Sequence, residues 1–208
     1  YYRVTAVGIG ESAYSNEVKA TTIGLVAWYS FTGNAGDSSG NGNTGIVTAA
    51  TLTSDRFGNS NSAYQFDGTS AFIKAAADNL PTGTRTVSLW FKANRVDNKP
   101  TVFGYGGGIC GTSWFVGLNH AGRAGFTLTG HCGANTLEYP YSQAPIGPWY
   151  HWVTVTDSNG TKSYVNGVLV ASNANYVTNT NVAGKELAIG VGVAPNGISP
   201  YTDGAMGY

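Results

Sequence analysis

The stretch that decides the fold is "WYHWVTVTDSNGTKSYVNGVLVAS", residues 149–172. Two strand-like runs, 149–156 and 162–172, are joined by the turn residues "DSNG". Strict alternation of side-chain character puts one set of residues on the core face of a strand and the other on its outer face. Within the second run, Asn166-Gly167 separates two apolar segments. These two residues tolerate the left-handed backbone that a two-residue hairpin requires.

The same pattern extends outward in both directions. "YYRVTAVGIGESAYSNEVKATT" (1–22) reads as strands Tyr2–Val7 and Tyr14–Ala20 around a Gly-rich turn. "GLVAWYSF" (24–31), "AYQFDG" (63–68), "AFIKA" (71–75) and "TVSLWFKA" (86–93) follow, with turn residues between them. "SWFVGLN" and "GFTLTG" flank a turn at 119–125, and "KELAIGV" (185–191) closes the ordered pattern. Helical periodicity does not persist beyond about two turns anywhere. The chain therefore reads as all-β, with enough short strands for a two-sheet antiparallel sandwich.

Composition narrows the function classes. Charged residues make up 11% of the 208, against a usual share of about 25%. Lys+Arg and Asp+Glu balance at 11 each, so no basic face for nucleic acid or anionic membrane is indicated. Thirty Gly, 13 Tyr and 5 Trp, with many Asn and Thr, suit turns and strands and a surface kept wet without charge. Such a mixture fits an extracellular, secreted or cell-surface protein. No apolar run reaches the ~18 residues of a membrane-spanning helix, and the start carries no signal-peptide pattern. Opening on Tyr1-Tyr2 fits a mature form or an excised fragment.

Catalytic patterns do not emerge. Glycoside hydrolysis needs two carboxylates about 5–9.5 Å apart, which neighbouring positions on one strand face would supply as acid-x-acid. The acids at 11, 17, 37, 55, 67, 78, 97, 138, 157, 186 and 203 contain no such pair. No Ser sits in a G-x-S-x-G elbow, and His120, His131 and His151 share no metal-binding spacing. His151 reads as a core-edge or surface residue of its strand. A polysaccharide lyase using Tyr and His is harder to exclude.

The two cysteines, Cys110 and Cys132, lie 11 residues either side of Ala121, the centre of a strand–turn–strand segment. Equal arms bring them together at the open end of that hairpin. A disulfide there, with free buried thiols as the alternative, would stabilise by about 3 kcal/mol in the chain-entropy model and fit an oxidising compartment.

Residues 37–45, "DSSGNGNTG", admit two readings. One is a polar turn in which Asp37 makes an Asx-turn. The other is a loop with its oxygens turned inward at calcium, which takes 6–8 oxygen ligands. Asp37 would carry the charge, Asn41 and Asn43 would add oxygens, and glycines 40, 42 and 45 would allow backbone with φ > 0. Asp67 is the candidate second acid.

Several of these motifs together carry a resemblance. "GLVAWYSFTGNAGDSSGNGNTG", "AYQFDGTSAFI", "VSLWFKA" and "WYHWVTVTDSNGTKSYVNGVLVAS" resemble, in order, the laminin G-like, concanavalin A-like jelly roll over residues 24–208. "YYRVTAV" and "GESAYSNEV" resemble the last strands of a fibronectin type III domain. The organisation implied is a partial fibronectin hairpin over 1–22 and a jelly roll over 23–208. The resemblance implies a structural calcium ion at Asp37–Gly45. It also implies a closing strand just after "TDGAMGY", leaving a vacant strand position beside Val26–Phe31 that a continuation or a neighbouring chain would fill. Asp203 is the acid near that end that could substitute as ligand.

This fold hosts enzymes, lectins and spacers alike. The residues favour a non-catalytic module that binds a polysaccharide or other glycan. The alternative is a spacer or adhesion domain contacting protein domains or chains. Sugar binding needs exposed aromatics with polar groups beside them. Trp114, Asn119, His120, Arg123, His131, Tyr139 and Tyr141 form the richest such collection, whereas Trp90, Trp149 and Trp152 read as core. The sequon Asn159-Gly160-Thr161 falls in a hairpin turn, which explains its Gly without glycosylation.

Overall fold

The computed structural model describes residues 7–8, 10–11, 24–94, 101–107, 112–118, 125–129, 136–140, 146–175, 179–194, 197–201 and 203–207. Every regular element among them is a strand. A two-residue hairpin, β1 (Val7–Gly8) and β2 (Gly10–Glu11), stands by itself. The remainder of the expected fibronectin-like strands lies outside the described residues. The chain continues with β3 (Ile46–Thr48), β4 (Thr51–Thr53), β5 (Ala63–Asp67), β6 (Phe72–Ala76), β7 (Arg85–Ala93) and β8 (Thr101–Gly106). Next come β9 (Ser113–Leu118), β10 (Gly125–Thr129), β11 (Thr136–Pro140), β12 (Trp149–Asp157), β13 (Gly160–Val165) and β14 (Val168–Asn173). The last four are β15 (Glu186–Ile189), β16 (Val191–Ala194), β17 (Gly197–Tyr201) and β18 (Asp203–Gly207).

Two seven-stranded sheets result, ordered β11-β10-β9-β8-β15-β6-β3 and β14-β13-β12-β7-β18-β5-β4. The sandwich inferred from alternation is thus the fold. Its core joins Ile73, Val102, Tyr105, Trp114, Val116, Leu118 and Leu187 of the first sheet to Phe66, Phe91, Trp152 and Val165 of the second. Alternation sets which residues enter: in β12, Trp152, Thr154 and Thr156 are buried while His151, Val153 and Val155 between them are not. The buried hydroxyls pair across β12 and β13, Thr154 with Ser163 at 3.0 Å and Thr156 with Thr161 at 2.9 Å. A buried polar group without such a partner would cost about 1–3 kcal/mol.

The β13–β14 turn matches its sequence signal. Val165 faces Val168, and Asn166 and Gly167 adopt φ of 49° and 79°. The β9–β10 hairpin pairs Leu118 with Phe126, which centres it on position 122, one residue from Ala121. Cys110 and Cys132 lie outside the described residues.

One expectation is corrected. Residues 24–31 form no strand, because their backbone groups bond to the 37–43 loop instead of to a neighbouring strand. Asp203–Gly207 is itself a strand, seated between β7 and β5.

Candidate functional site

The 37–43 loop is held by hydrogen bonds that account for its residue types. Asp37 Oδ1 accepts the backbone N–H of Trp28 and of Ser39, both at 2.9 Å, and Oδ2 accepts that of Asn43 at 3.0 Å. The Val26 carbonyl accepts from Ser39 Oγ at 3.0 Å, Asn41 Nδ2 at 3.2 Å and Asn43 Nδ2 at 2.9 Å. Asn41 Nδ2 also donates to the Leu25 carbonyl at 2.7 Å, and the Tyr29 hydroxyl donates to the Asn43 carbonyl. Gly40 and Gly42 have φ of 87° and 80°, as the calcium reading required. Gly45 serves differently: a Cβ there would come within 2.6 Å of Ile73.

Partial desolvation works against ionisation of Asp37, yet hydrogen bonds from Ser39, Trp28 and Asn43 hold its carboxyl below the usual carboxylate range. Burial, helped by the nearby Asp37 charge, pushes the Tyr29 phenol well up. Asp67, the candidate second acid, accepts from Thr69, Ser70 and Ala71 N–H and from the Ser70 hydroxyl. Those bonds, the Ser70 hydroxyl's first, put its carboxyl far below the usual range. Among the described residues, no three His, Cys, Asp or Glu converge as a metal site. As folded, both Asp37 oxygens, the Asn41 and Asn43 side-chain nitrogens and the Asp67 carboxylate are engaged in tying the chain together.

Of the expected sugar-binding residues, Trp114 and Tyr139 fall among the described residues. Trp114 is fully buried, with its ring 5.9 Å from those of Phe103 and Tyr105. A core tryptophan offers no face to a ligand, so Trp114 leaves the candidate site. Asn119, His120, Arg123, His131 and Tyr141 lie outside the described residues. Tyr139 sits on edge strand β11, opposite Phe126.

A different surface gathers exposed planar groups. Phe91 and Trp152 point into the core, so their neighbours Trp90 and His151 point outward from β7 and β12, where the register places them side by side. Their rings stack at 4.8 Å with planes 11° apart, and His151 Nε2 meets Ser88 Oγ at 2.8 Å. On the opposite flank of Trp90, the register places Gly207 of β18 and then Ala63 of β5, residues too small to block the ring. Arg56, from the β4–β5 loop, fills that space. Its guanidinium carbon lies 4.2 Å from the Trp90 ring centroid and 4.1 Å from that of Phe57. Phe57 is 71% exposed. Burial, and then the Arg56 charge, holds His151 below its usual value, so the imidazole is neutral at physiological pH.

Residues 67–207 match the model of the concanavalin A-like lectin/glucanase superfamily, Laminin_G_3. The chain belongs to this superfamily. Among solved structures, it is similar to domain 4 of AbnA, an extracellular arabinanase of Geobacillus stearothermophilus in complex with arabinotriose. That likeness has 23% identity and a TM-score of 0.63, covering 88% of this chain and 91% of that one. Another is the CBM40 of a Ruminococcus gnavus sialidase bound to α2,3 sialyllactose, at 13% identity and TM-score 0.51, covering 70% and 86%. A third, a carbohydrate-binding protein by description from Bacteroides ovatus, has 16% identity and TM-score 0.50, covering 69% and 41%. At these identities the likeness is one of fold. Among curated proteins none is significantly similar. The superfamily match begins at Asp67, so residues 1–22 and the Arg56–Phe57 loop lie before it.

The Arg56–Phe57 pair had no signal in the sequence beyond a short "RFGN" between two strands. Trp90 and His151 could have been found: a buried Phe91 and Trp152 next to each forces the neighbour outward.

Proposed function

We propose that this superfamily member is a non-catalytic carbohydrate-binding module of a larger secreted or cell-surface protein, with its sugar seated on the outer face at Phe57. The observation that carries the reading is Phe57 itself, a largely exposed ring beside the Arg56 guanidinium, which also lies over Trp90. An exposed aromatic ring with a neighbouring cation against it suits stacking on the C–H face of a sugar. Ser88, Lys92 and Gln65 occupy outward strand positions nearby and can serve sugar hydroxyls. The bound sugars of the arabinanase domain and the CBM40 support the same reading.

Catalysis gains no support from the acids. The register sets Asp67 opposite Asp203 across β5 and β18, a juxtaposition that no linear spacing reveals. A glycosidase pair needs one carboxyl with a raised pKa to act as acid. Asp67 is shifted the other way and its oxygens are occupied by its own turn. A spacer or adhesion role has one observation in its favour: edge strand β14 exposes Val168 and Leu169 to solvent, where another chain could pair. Affinity electrophoresis through a panel of neutral and acidic polysaccharides tests the sugar reading. Retardation by at least one polymer, relieved in Phe57→Ala, is the expected result. Unretarded migration through every polymer favours the spacer.

A further inference from the structure

The Arg56 guanidinium combines two properties that rarely coincide. It lies over two aromatic rings, 4.1 Å from the Phe57 centroid and 4.2 Å from that of Trp90. Its hydrogen-bonding edge is unused: no described residue accepts a hydrogen bond from it, and Nη1 is shut from water without an acceptor. The neighbouring Asp55 carboxylate feels the Arg56 charge without pairing with it. Asp55 Oδ1 accepts the N–H of Phe57 and Asn59 at 2.8 and 2.9 Å, and Oδ2 accepts Asn59 Nδ2 at 2.9 Å. Asp55 thereby shapes the loop that presents Arg56 and forms no ion pair with it; the ion pair among the described residues is Lys74–Glu186.

The structural arginine of this molecule is bonded differently. Arg85 donates through Nη1 to Tyr105 Oη and Thr180 Oγ1, through Nε to the Gly83 carbonyl and through Nη2 to the Thr82 carbonyl. Its donors are spent inside the sandwich. Those of Arg56 are not; the outward neighbours of its row in β5, β7 and β12 include Gln65, Ser88, Lys92, Trp149, His151 and Val153, and the acids nearest in sequence and sheet are Asp55 of its own loop and Asp67 at the far end of β5.

We infer that Arg56 is the anion-recognising residue of the site, and that the ligand is an acidic saccharide whose carboxylate bonds in a fork to the Nε–Nη2 edge while its ring rests on Phe57. This deepens the sugar-binding reading above and rests on it. The chemistry fits the geometry in three ways. A guanidinium held against two rings presents two parallel N–H groups to the two carboxylate oxygens at little further cost in side-chain freedom. A neutral sugar offers those donors only hydroxyl and ring oxygens, weaker acceptors than a carboxylate. The charge of Lys92 at an adjacent outward position adds attraction over a few ångströms.

The test is isothermal titration of the wild type, Arg56→Gln and Arg56→Lys with oligogalacturonate, alginate and hyaluronan oligosaccharides, with carboxyl-reduced neutral forms of each and with dextran sulfate. The wild type should bind at least one carboxylated oligosaccharide and not its reduced form, with affinity falling as salt rises. Arg56→Gln should weaken that binding roughly tenfold or more. Arg56→Lys should recover only part of it, since an ammonium keeps the charge and loses the fork. Unchanged thermal midpoints of both variants establish that folding is intact. Binding of dextran sulfate in preference to every carboxylate overturns the carboxylate assignment. Binding of neutral forms that is lost in Phe57→Ala and unaffected in Arg56→Gln overturns the inference while the sugar-binding reading stands. Binding of none of these, nor of any neutral polysaccharide, removes both.

Discussion

The 37–43 loop and the Arg56 row are both clusters of polar side chains on the surface, and they differ in what those side chains have left to give. In the loop, Asp37 holds three backbone N–H groups, and the Val26 carbonyl takes three donors. In the row, a guanidinium with five donors has no described acceptor. The loop resembles a ligand site in sequence and is a staple in the structure. The row reads as an ordinary turn in sequence and keeps its recognition capacity open. Residue type suggests a site; unsatisfied hydrogen-bonding capacity is what separates one from architecture.

The largest expected effect sharpens the boundary between core and site. Trp114→Ala should lower the unfolding free energy by about 3–5 kcal/mol, as for other buried large aromatics. Denaturant melts check this; a loss below about 1 kcal/mol together with lost sugar binding would restore Trp114 to the surface. Next is Asp37→Ala, which strips three N–H groups of their acceptor. A loss of about 2–3 kcal/mol is expected, moderated because the loop is partly solvated. Sugar affinity should be unchanged, since the staple and the row are separate.

A smaller effect follows from protonation. The folded carboxyl of Asp37 titrates below its unfolded value. Its contribution is therefore present above the unfolded pKa of about 3.9 and lost as the pH falls through the folded value. Thermal midpoints of the wild type should fall on that acid limb more steeply than those of Asp37→Asn. Parallel limbs would show that the loop's hydrogen bonds do not depend on the charge. Smallest of all is the response to metal. Millimolar calcium, or chelation after purification, should move the thermal midpoint by less than ~1 °C. A calcium-dependent rise would mean that the loop exchanges its N–H donors for a cation, because a ligand of the folded state alone must stabilise it.

The sandwich was legible in the sequence wherever one strand face is buried. Trp152, Thr154 and Thr156 alternate with outward residues so regularly that β12 could be read directly, and Asn166-Gly167 marked its hairpin. Strand identity failed where partner choice overrode pattern. "GLVAWYSF" has a strand's alternation, yet its Trp28 N–H bonds to Asp37 and its Trp28 carbonyl accepts from Ser38 N–H at 2.8 Å. "DGAMG" has little β propensity and is central because β5 and β7 leave a position between them that it fills. The candidate site was illegible for a related reason. It joins Arg56, Trp90 and His151 from three segments, and only the β7–β12 register and the small residues Gly207 and Ala63 bring them into one row.

The most direct measurement is a polysaccharide-binding titration of Phe57→Ala beside Asp37→Ala, each with its thermal midpoint. An open recognition row and a closed staple predict opposite patterns. Phe57→Ala should keep its midpoint, because a ring 71% exposed contributes little to folding, and should lose sugar binding. Asp37→Ala should melt several degrees lower and bind sugar as the wild type does while folded. Sugar binding that survives Phe57→Ala and disappears with Asp37→Ala at a temperature where both are folded would contradict the assignment of the two regions.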